Sequence, residues 1–332
     1  MAKPIVAVTI GDPAGIGPEV VAKALAEQLR QGQNSYIPVV IGPEAVVKKT
    51  FNDLSIKANV RKISDVSEAL ELGPSEQNGV LVLEVSPVDP ADLRMGHTSA
   101  LAGKISWEDG KKSTELIKAG KVQATVSAPG DSGSSQMAAA AGLIPKPTGE
   151  QGIPTQYGLT LVCENLRVVH LSHHLPLTEA CAFVTKDNVL AKLKMTDDFL
   201  KGLGLPRRLI ALAGLNPHAH GKEDERELIP AAQAAKEMGL NVEGPISPDT
   251  VFLRAAAGEF DAVLALFHDQ GHIATKTYGF NKGIVSITLG MPYLSLSVGH
   301  GSAYDIAGKG IANPSAISQA IAMAGKMAAS HV

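Results

Sequence analysis

Apolar and polar positions alternate in two textures along this chain. Short runs of β-branched and other apolar residues stand at 5–10, 37–41, 80–85, 124–127, 167–171, 209–213, 262–267 and 284–289. Longer stretches with apolar residues at helical spacing lie between them, at 18–29, 99–117, 188–203, 226–238 and 314–329. Pro18 falls just inside the first of these, where its missing N–H costs nothing. Runs that are apolar at every position describe strands buried on both faces, not strands with one wet side. Strands and helices in this order predict an α/β fold with a largely parallel sheet. One stretch breaks the rhythm: 128–158 is rich in Gly, Pro, Ser and Ala and carries no clear period. An irregular segment of about 30 residues inside a compact chain reads as a binding or lid region, or else as a linker between domains.

The 332 residues suit two domains or one large one, and 45% apolar content supplies a substantial core. Lys and Arg number 30 against 33 Asp and Glu, without a basic run, which argues against a nucleic-acid partner. Two cysteines, Cys163 and Cys181, exclude a disulfide framework and cannot build a metal site by themselves. The longest apolar run, 262–267, is too short to cross a membrane, and 4–10 is too short for a secretory signal. A cytoplasmic protein acting on a small molecule, with no membrane partner, is the expectation.

None of the ten histidines precedes His97, and seven gather in three clusters: His170, His173 and His174; His218 and His220; His268 and His272. Each cluster closes a predicted strand, in LRVVHLSHHLPL, RRLIALAGLNPHAH and DAVLALFHDQGH. Ligands of open α/β sheets bind outside the carboxyl ends of the strands. One such cluster alone is satisfied as a strand-end cap. Three of them at one edge point to a divalent metal, since imidazole is the commonest metal ligand and three histidines leave a position open for catalysis. His170, inside an apolar run, reads as a hydrogen-bonded core residue. Only one of His173 and His174 can face the site if the strand continues. Asp269, beside His268, is an exposed loop carboxylate, the partner of a ligating imidazole, or a general acid–base group.

Two glycine-rich segments remain. GDPAGIGPE at 11–19 runs from the first strand into the first helix. Its glycines, Gly11, Gly15 and Gly17, do not spell G-x-G-x-x-G, and no acidic residue follows at the spacing a Rossmann site needs. It reads either as a simple tight turn or as one whose N–H groups hold an anion. In GHGSAYDIAGKGIANPSA, at 299–316, Gly299, Gly301, Gly308 and Gly310 let backbone approach a ligand closely, and Asp305 offers a carboxylate. A carboxylate that accepts from a ribose 2′-hydroxyl repels a 2′-phosphate, which favours NAD over NADP.

GHGSAYDIAGKGIANP closely resembles the adenosine-binding loop of isopropylmalate and isocitrate dehydrogenases, and GDPAGIGPEV resembles their N-terminal glycine turn with a small insertion. More specifically, GDPAGIGPE, HLPL at 174–177, GLNPHA at 214–219, PDTVF at 248–252 and HDQGH with Lys276 resemble the 4-hydroxythreonine-4-phosphate dehydrogenase family. The motifs follow the family's order across nearly the whole chain. The resemblance implies a two-domain, isopropylmalate-dehydrogenase-like α/β/α fold with an interdomain cleft. Residues 1–125 plus 296–332 would form the cofactor side, and 126–295 would carry the metal, substrate and dimer contacts. It implies an obligate homodimer, NAD, and a divalent ion held by His174, His218 and His268, one of them from across the dimer interface. Zinc is the expected ion, with cobalt, manganese or magnesium as other occupants. Gly15, His300, Gly301, Ser302, Ala303, Asp305 and Asn313 would hold the cofactor, and Lys276 the substrate. Such an enzyme passes hydride to the nicotinamide from the carbon that bears a metal-polarised hydroxyl, whose proton goes to a base, and the resulting β-keto acid then loses carbon dioxide. Asp249, Asp269 and Lys276 are unranked candidates for the proton transfers.

The family reads its substrate's phosphate with a Gly-His-Thr-Glu segment, a lysine, an asparagine and an arginine. At these places the chain carries Gly149-Glu150-Gln151, Ser132, Ser286 and Ser295. Serine in place of arginine removes a charge-assisted pair of roughly 1.5–3 kcal/mol per bond, and Glu150 repels a dianion. The expected substrate is therefore an unphosphorylated β-hydroxy acid, such as a carboxylated cis-dihydrodiol, contacted by Lys276, Glu150, Gln151, Ser286 and Ser295. The alternatives are 4-hydroxythreonine 4-phosphate itself, in pyridoxal phosphate synthesis, a phosphate acyltransferase on a related scaffold, and a binding protein without turnover.

Overall fold

The structure, a computed structural model, describes residues 3–32, 35–73, 79–146 and 157–330. The chain adopts the expected α/β class and forms two compact units, Met1–Thr148 with Tyr293–Val332, and Gly149–Pro292. The units divide at 148 and 292, where the sequence suggests crossings near 125 and 295. Among the described residues no helix is long and apolar enough to cross a membrane.

In the first unit, β1 (Ile5–Thr9), β2 (Ile37–Ile41), β3 (Val60–Ile63), β4 (Val80–Leu83), β5 (Ala124–Ser127) and the late β12 (Leu294–Val298) run in the order β3-β4-β2-β1-β5-β12. Every pairing in that run is parallel. β1 is buried at all positions, as its apolar run from Ile5 to Val8 predicts. The helices are α1 (Gly17–Gln31), α2 (Glu44–Asp53), the single turn α3 (Glu68–Glu71), α4 (Ala100–Lys118), α5 (Ser132–Ala140) and, at the end of the chain, α11 (Ser315–Ser330). Ser99 starts α4 by accepting from Ala102 N at 3.1 Å. Asp131 starts α5 in the same way, through Ser134 N at 2.6 Å. Part of the stretch expected to be irregular, 128–158, is thus a capped helix: its Gly and Ser residues mask a helix that is Ala-rich and only weakly amphipathic. Ile5, Val39, Ile41, Leu81 and Leu116 meet in the core. Leu81 is 1% exposed, and its truncation to alanine would cost about 2–5 kcal/mol.

The second unit holds β6 (Gly158–Cys163), β7 (Leu166–His170), β8 (Ile210–Ala213), β9 (Val242–Ile246), β10 (Ala262–Ala265) and β11 (Val285–Leu289), ordered β11-β6-β7-β10-β8-β9. β10 pairs in parallel with β7 and β8, and β8 with β9, while β6 runs antiparallel to both β7 and β11. The sheet here is mixed, because β6 and β7 form a hairpin turning at Glu164, φ 52°. Around it lie α6 (Leu177–Phe183), α7 (Lys186–Gly202), α8 (Ile229–Glu237), α9 (Val251–Ala256) and α10 (His268–Gly279). The helix expected from 226 begins instead as a π-turn, Asp224–Leu228, before α8. Pro230 has no N–H to extend an α-helical ladder back through that turn.

Candidate active site

His170 ends β7 fully buried, with Nδ1 donating to Leu159 O at 3.0 Å, the core role expected of it. Burial first, and then the neighbouring His272, pulls its pKa down to about 3, so the ring is neutral. Beyond the strand, His173 is 2% exposed while His174, at φ 53°, faces solvent. Only His174 of that pair opens outward. Neither ring nitrogen of His173 has a partner among the described residues, and burial holds it at about 4.

His268 and His272 stand just past the end of β10, as their sequence context suggests, and the chain there is helical. They open α10 one turn apart, on one face, and their rings stack at 3.7 Å and 14°. His268 Nδ1 stands 2.6 Å from Asp269 Oδ1, which makes the exposed Asp269 the carboxylate partner of this imidazole. His272 Nδ1 lies 3.1 Å from both His170 Nε2 and His268 O. Gly271 permits that approach, since a Cβ there would stand 2.2 Å from His170 Nε2. The rings of His174 and His268 have centroids 5.8 Å apart. Two imidazoles bound to one zinc, each nitrogen about 2.1 Å from it, have nearly that separation.

His218 is not brought to this pair. It sits at φ 58° in the exposed turn Pro217–Ala219, and its electrostatic neighbour is Asp249. Asp249 accepts from Ser247 Oγ at 2.6 Å just before α9, and that bond is the main cause holding its carboxyl below the usual range. Among the described residues no three His, Cys, Asp or Glu side chains stand close enough to hold a metal ion. Lys276 is exposed two turns along α10, and Ser286 is half-buried on β11 opposite Leu161. Glu150 and Gln151 fall outside the described residues.

In the first unit the two glycine segments meet. Ile16 N donates to Ser302 O at 2.9 Å, and Tyr304 OH to Asp12 Oδ2 at 2.8 Å. Asp12 is fully buried, and its Oδ1 accepts from Ala14 N to close the glycine turn. Glu19 accepts from Gly310 N at 3.2 Å and Ala312 N at 2.7 Å, and Lys23 donates to the carbonyls of the same two residues. A Cβ at Gly15 would lie 2.7 Å from Ser302 Cβ, and the buried Ser302 Oγ has no partner among the described residues. Gly15, Leu54, Met95 and Ala307 to Gly310 help to line a cleft of 380 Å³. An unpaired buried hydroxyl and open backbone beside such a cleft fit a nucleoside-sized ligand.

Other expected cofactor residues are placed less tellingly. His300, Gly301 and Asp305 are exposed, and Ala303 has φ 41°. Asn313 Oδ1 caps α11 through Ser315 N at 2.9 Å, so only its amide NH₂ remains for a ligand. Ser295 pairs with Thr125 between β12 and β5, and Ser132 opens α5. Tyr304, Glu19 and Lys23, which tie the loops together, and His272, beside the imidazole pair, went unassigned in the sequence. The one signal available was the i, i+4 spacing of His268 and His272, which becomes informative only once 268–279 is known to be helical.

Imidazoles at strand ends of one α/β unit and a glycine cradle on the other are the parts of a two-unit α/β dehydrogenase. The sequence matches the family described as pyridoxal phosphate biosynthetic protein PdxA over residues 34–324. A Clostridium botulinum protein provisionally named D-threonate 4-phosphate dehydrogenase is 36% identical over 344 residues, covering 98% of this chain and 97% of that one. The solved 4-hydroxythreonine-4-phosphate dehydrogenase of Klebsiella pneumoniae matches at 33% identity and TM-score 0.78, over 99% of this chain and 98% of that one. A terephthalate 1,2-cis-dihydrodiol dehydrogenase from Burkholderia xenovorans matches at 26% identity and TM-score 0.65, over 97% and 98%. The chain belongs to the PdxA family and is an oxidoreductase acting on a CH–OH group.

Proposed function

We propose that this chain is an NAD-dependent and divalent-metal-dependent dehydrogenase of an unphosphorylated β-hydroxy acid, such as a carboxylated cis-dihydrodiol, acting as a cytoplasmic homodimer. The observation that carries the reading is the 5.8 Å approach of His174 to His268, with Asp269 behind the second ring. Neutral imidazoles suit zinc, cobalt or manganese. Because one chain gathers two of the three expected ligands, the third, His218, is supplied by a second copy. Ile273 and Phe280, 65% and 84% exposed on one face at α10, support such a partner.

The ion, when bound, polarises the substrate's hydroxyl oxygen. Asp269 keeps the proton of His268 on Nδ1 and leaves Nε2 as the donor atom. Lys276, on the same helix, offers a cation to the substrate carboxylate. Gly15 and Gly301 admit the cofactor close to backbone, Ser302 Oγ and the Asn313 amide supply hydrogen bonds, and Asp305 accepts from a ribose 2′-hydroxyl. His300 and Ala303 belong to the same loop. Carbon dioxide loss from the β-keto acid leaves a proton to be returned by Lys276, Asp269 or Asp249.

The substrate reading rests on Ser132, Ser286, Ser295 and Glu150, and on the likeness to the dihydrodiol dehydrogenase. The higher identity to relatives named for phosphorylated substrates favours a second reading, 4-hydroxythreonine 4-phosphate oxidation. Purified dimer with zinc and NAD, offered both phosphorylated acids and terephthalate dihydrodiol, decides between them through reduced nicotinamide. Turnover of the dihydrodiol is expected, and turnover of phosphorylated acids alone overturns the preference.

A further inference from the structure

Three imidazoles in the second unit have their protons placed by their neighbours. Leu159 O only accepts, so the bond at 3.0 Å requires a proton on His170 Nδ1. His170 is fully buried and neutral, which leaves its Nε2 as an acceptor. His272 Nδ1 faces that nitrogen and His268 O, each at 3.1 Å, and two acceptors leave it no role but donor. A neutral His272 then carries its lone pair on Nε2. His268 reaches the same tautomer independently, through the Asp269 carboxylate at 2.6 Å.

We propose that Leu159 O, His170 and His272 form a relay that fixes the plane of the His272 ring, and that this ring is the shelf on which the His268 imidazole is held. His170 and His272 are then positioning residues. Stacked at 3.7 Å and 14°, the two rings lie in nearly parallel planes, so their in-plane Nε2 lone pairs do not converge on one ion. His272 therefore orients a ligand and is not itself a second one. Gly271 belongs to the device, because any side chain there would drive His170 off the relay. The consequence for metal binding rests on the metal reading above, whereas the proton placement stands on the hydrogen bonds alone.

Long-range 1H–15N spectra of wild-type, metal-free dimer with 15N-labelled histidine test the relay without any substitution. Both His170 and His272 are expected as Nδ1–H tautomers at neutral pH, and an Nε2–H form of His272 overturns the relay. Calorimetric titration with Co²⁺ tests the shelf. His272→Phe keeps the stack and is expected to bind within about threefold of wild type, while His272→Ala and His170→Leu weaken binding about 10–100-fold. His170→Leu is also expected to give His272 a mixture of tautomers. Equal affinity in all three variants overturns the shelf. Absence of Co²⁺ uptake by the wild type overturns the metal reading and the shelf with it, while the tautomers still decide the relay.

Discussion

Around Gly15 and Ser302 the first unit offers a ligand mostly backbone, and the buried carboxylates of these loops and of α1, Asp12 and Glu19, are tied to N–H groups and a hydroxyl there. Around His268 the second unit offers side chains, with imidazole nitrogens left over and no complete ligand set among the described residues of one chain. A backbone cradle can be finished locally, because each loop supplies donors and acceptors to the other. An imidazole site needs nitrogens at fixed angles about a point, and here the second unit brings only two of its three expected ligands together. The cradle is thus expected to tolerate change in the second unit, and the imidazole site to fail abruptly when any ligand is lost.

The largest effect should come from His268→Ala. If His268 holds the proposed ion, its removal takes away several kcal/mol of charge stabilisation, and kcat/KM should fall about 1,000-fold or more, with Co²⁺ uptake lost in the same calorimetric titration. Gly15→Val should separate the sites: its side chain meets Ser302, so KM for NAD should rise roughly 10–100-fold in steady-state assays with Co²⁺ affinity unchanged. A parallel loss of metal would contradict the independence of the two regions.

Acid and alkali should act on the units in opposite senses. His170 is held below its ordinary value, so its contribution is complete above the unfolded value near 6.5 and is withdrawn as pH falls toward about 3. Within that window it removes up to about 1.4 kcal/mol per pH unit, visible in denaturant unfolding between pH 7 and 4. Asp109, on α4, is fully buried with neither oxygen partnered among the described residues, and burial, with Glu108 adding, raises its carboxyl well above the usual range. Its contribution is complete below the ordinary carboxylate range and is lost as pH rises through the raised value. Asp109→Asn should accordingly stabilise the protein by about 1–3 kcal/mol at pH 8 and by less at pH 5, measured by thermal unfolding at both.

Much of the fold was legible because β2, β4 and β10 are uninterrupted apolar runs and β1 is broken only by Thr9, and because the longer helices keep a clear 3.6-residue period. β3, an edge strand carrying Arg61 and Lys62, and β12, Leu-Ser-Leu-Ser-Val, have no such run and escaped notice. The histidine clusters were legible as strand-end groups, and His170 as a core residue. What could not be read was angular: that His174 turns out while His173 turns in, that His268 and His272 share a helix face, and that His218 lies apart from both. Tyr304 and Glu19 were illegible for another reason, since their partners lie almost 300 residues away in sequence.

The most direct test of the shared metal centre is subunit complementation between His218→Ala and His268→Ala chains, each inactive alone. If one copy supplies His174 and His268 and the other His218, unfolding the two together and refolding the mixture rebuilds one intact site in each mixed dimer. Activity and Co²⁺ uptake should then return to about a quarter of wild type. A mixture no more active than either parent would contradict a site shared between chains.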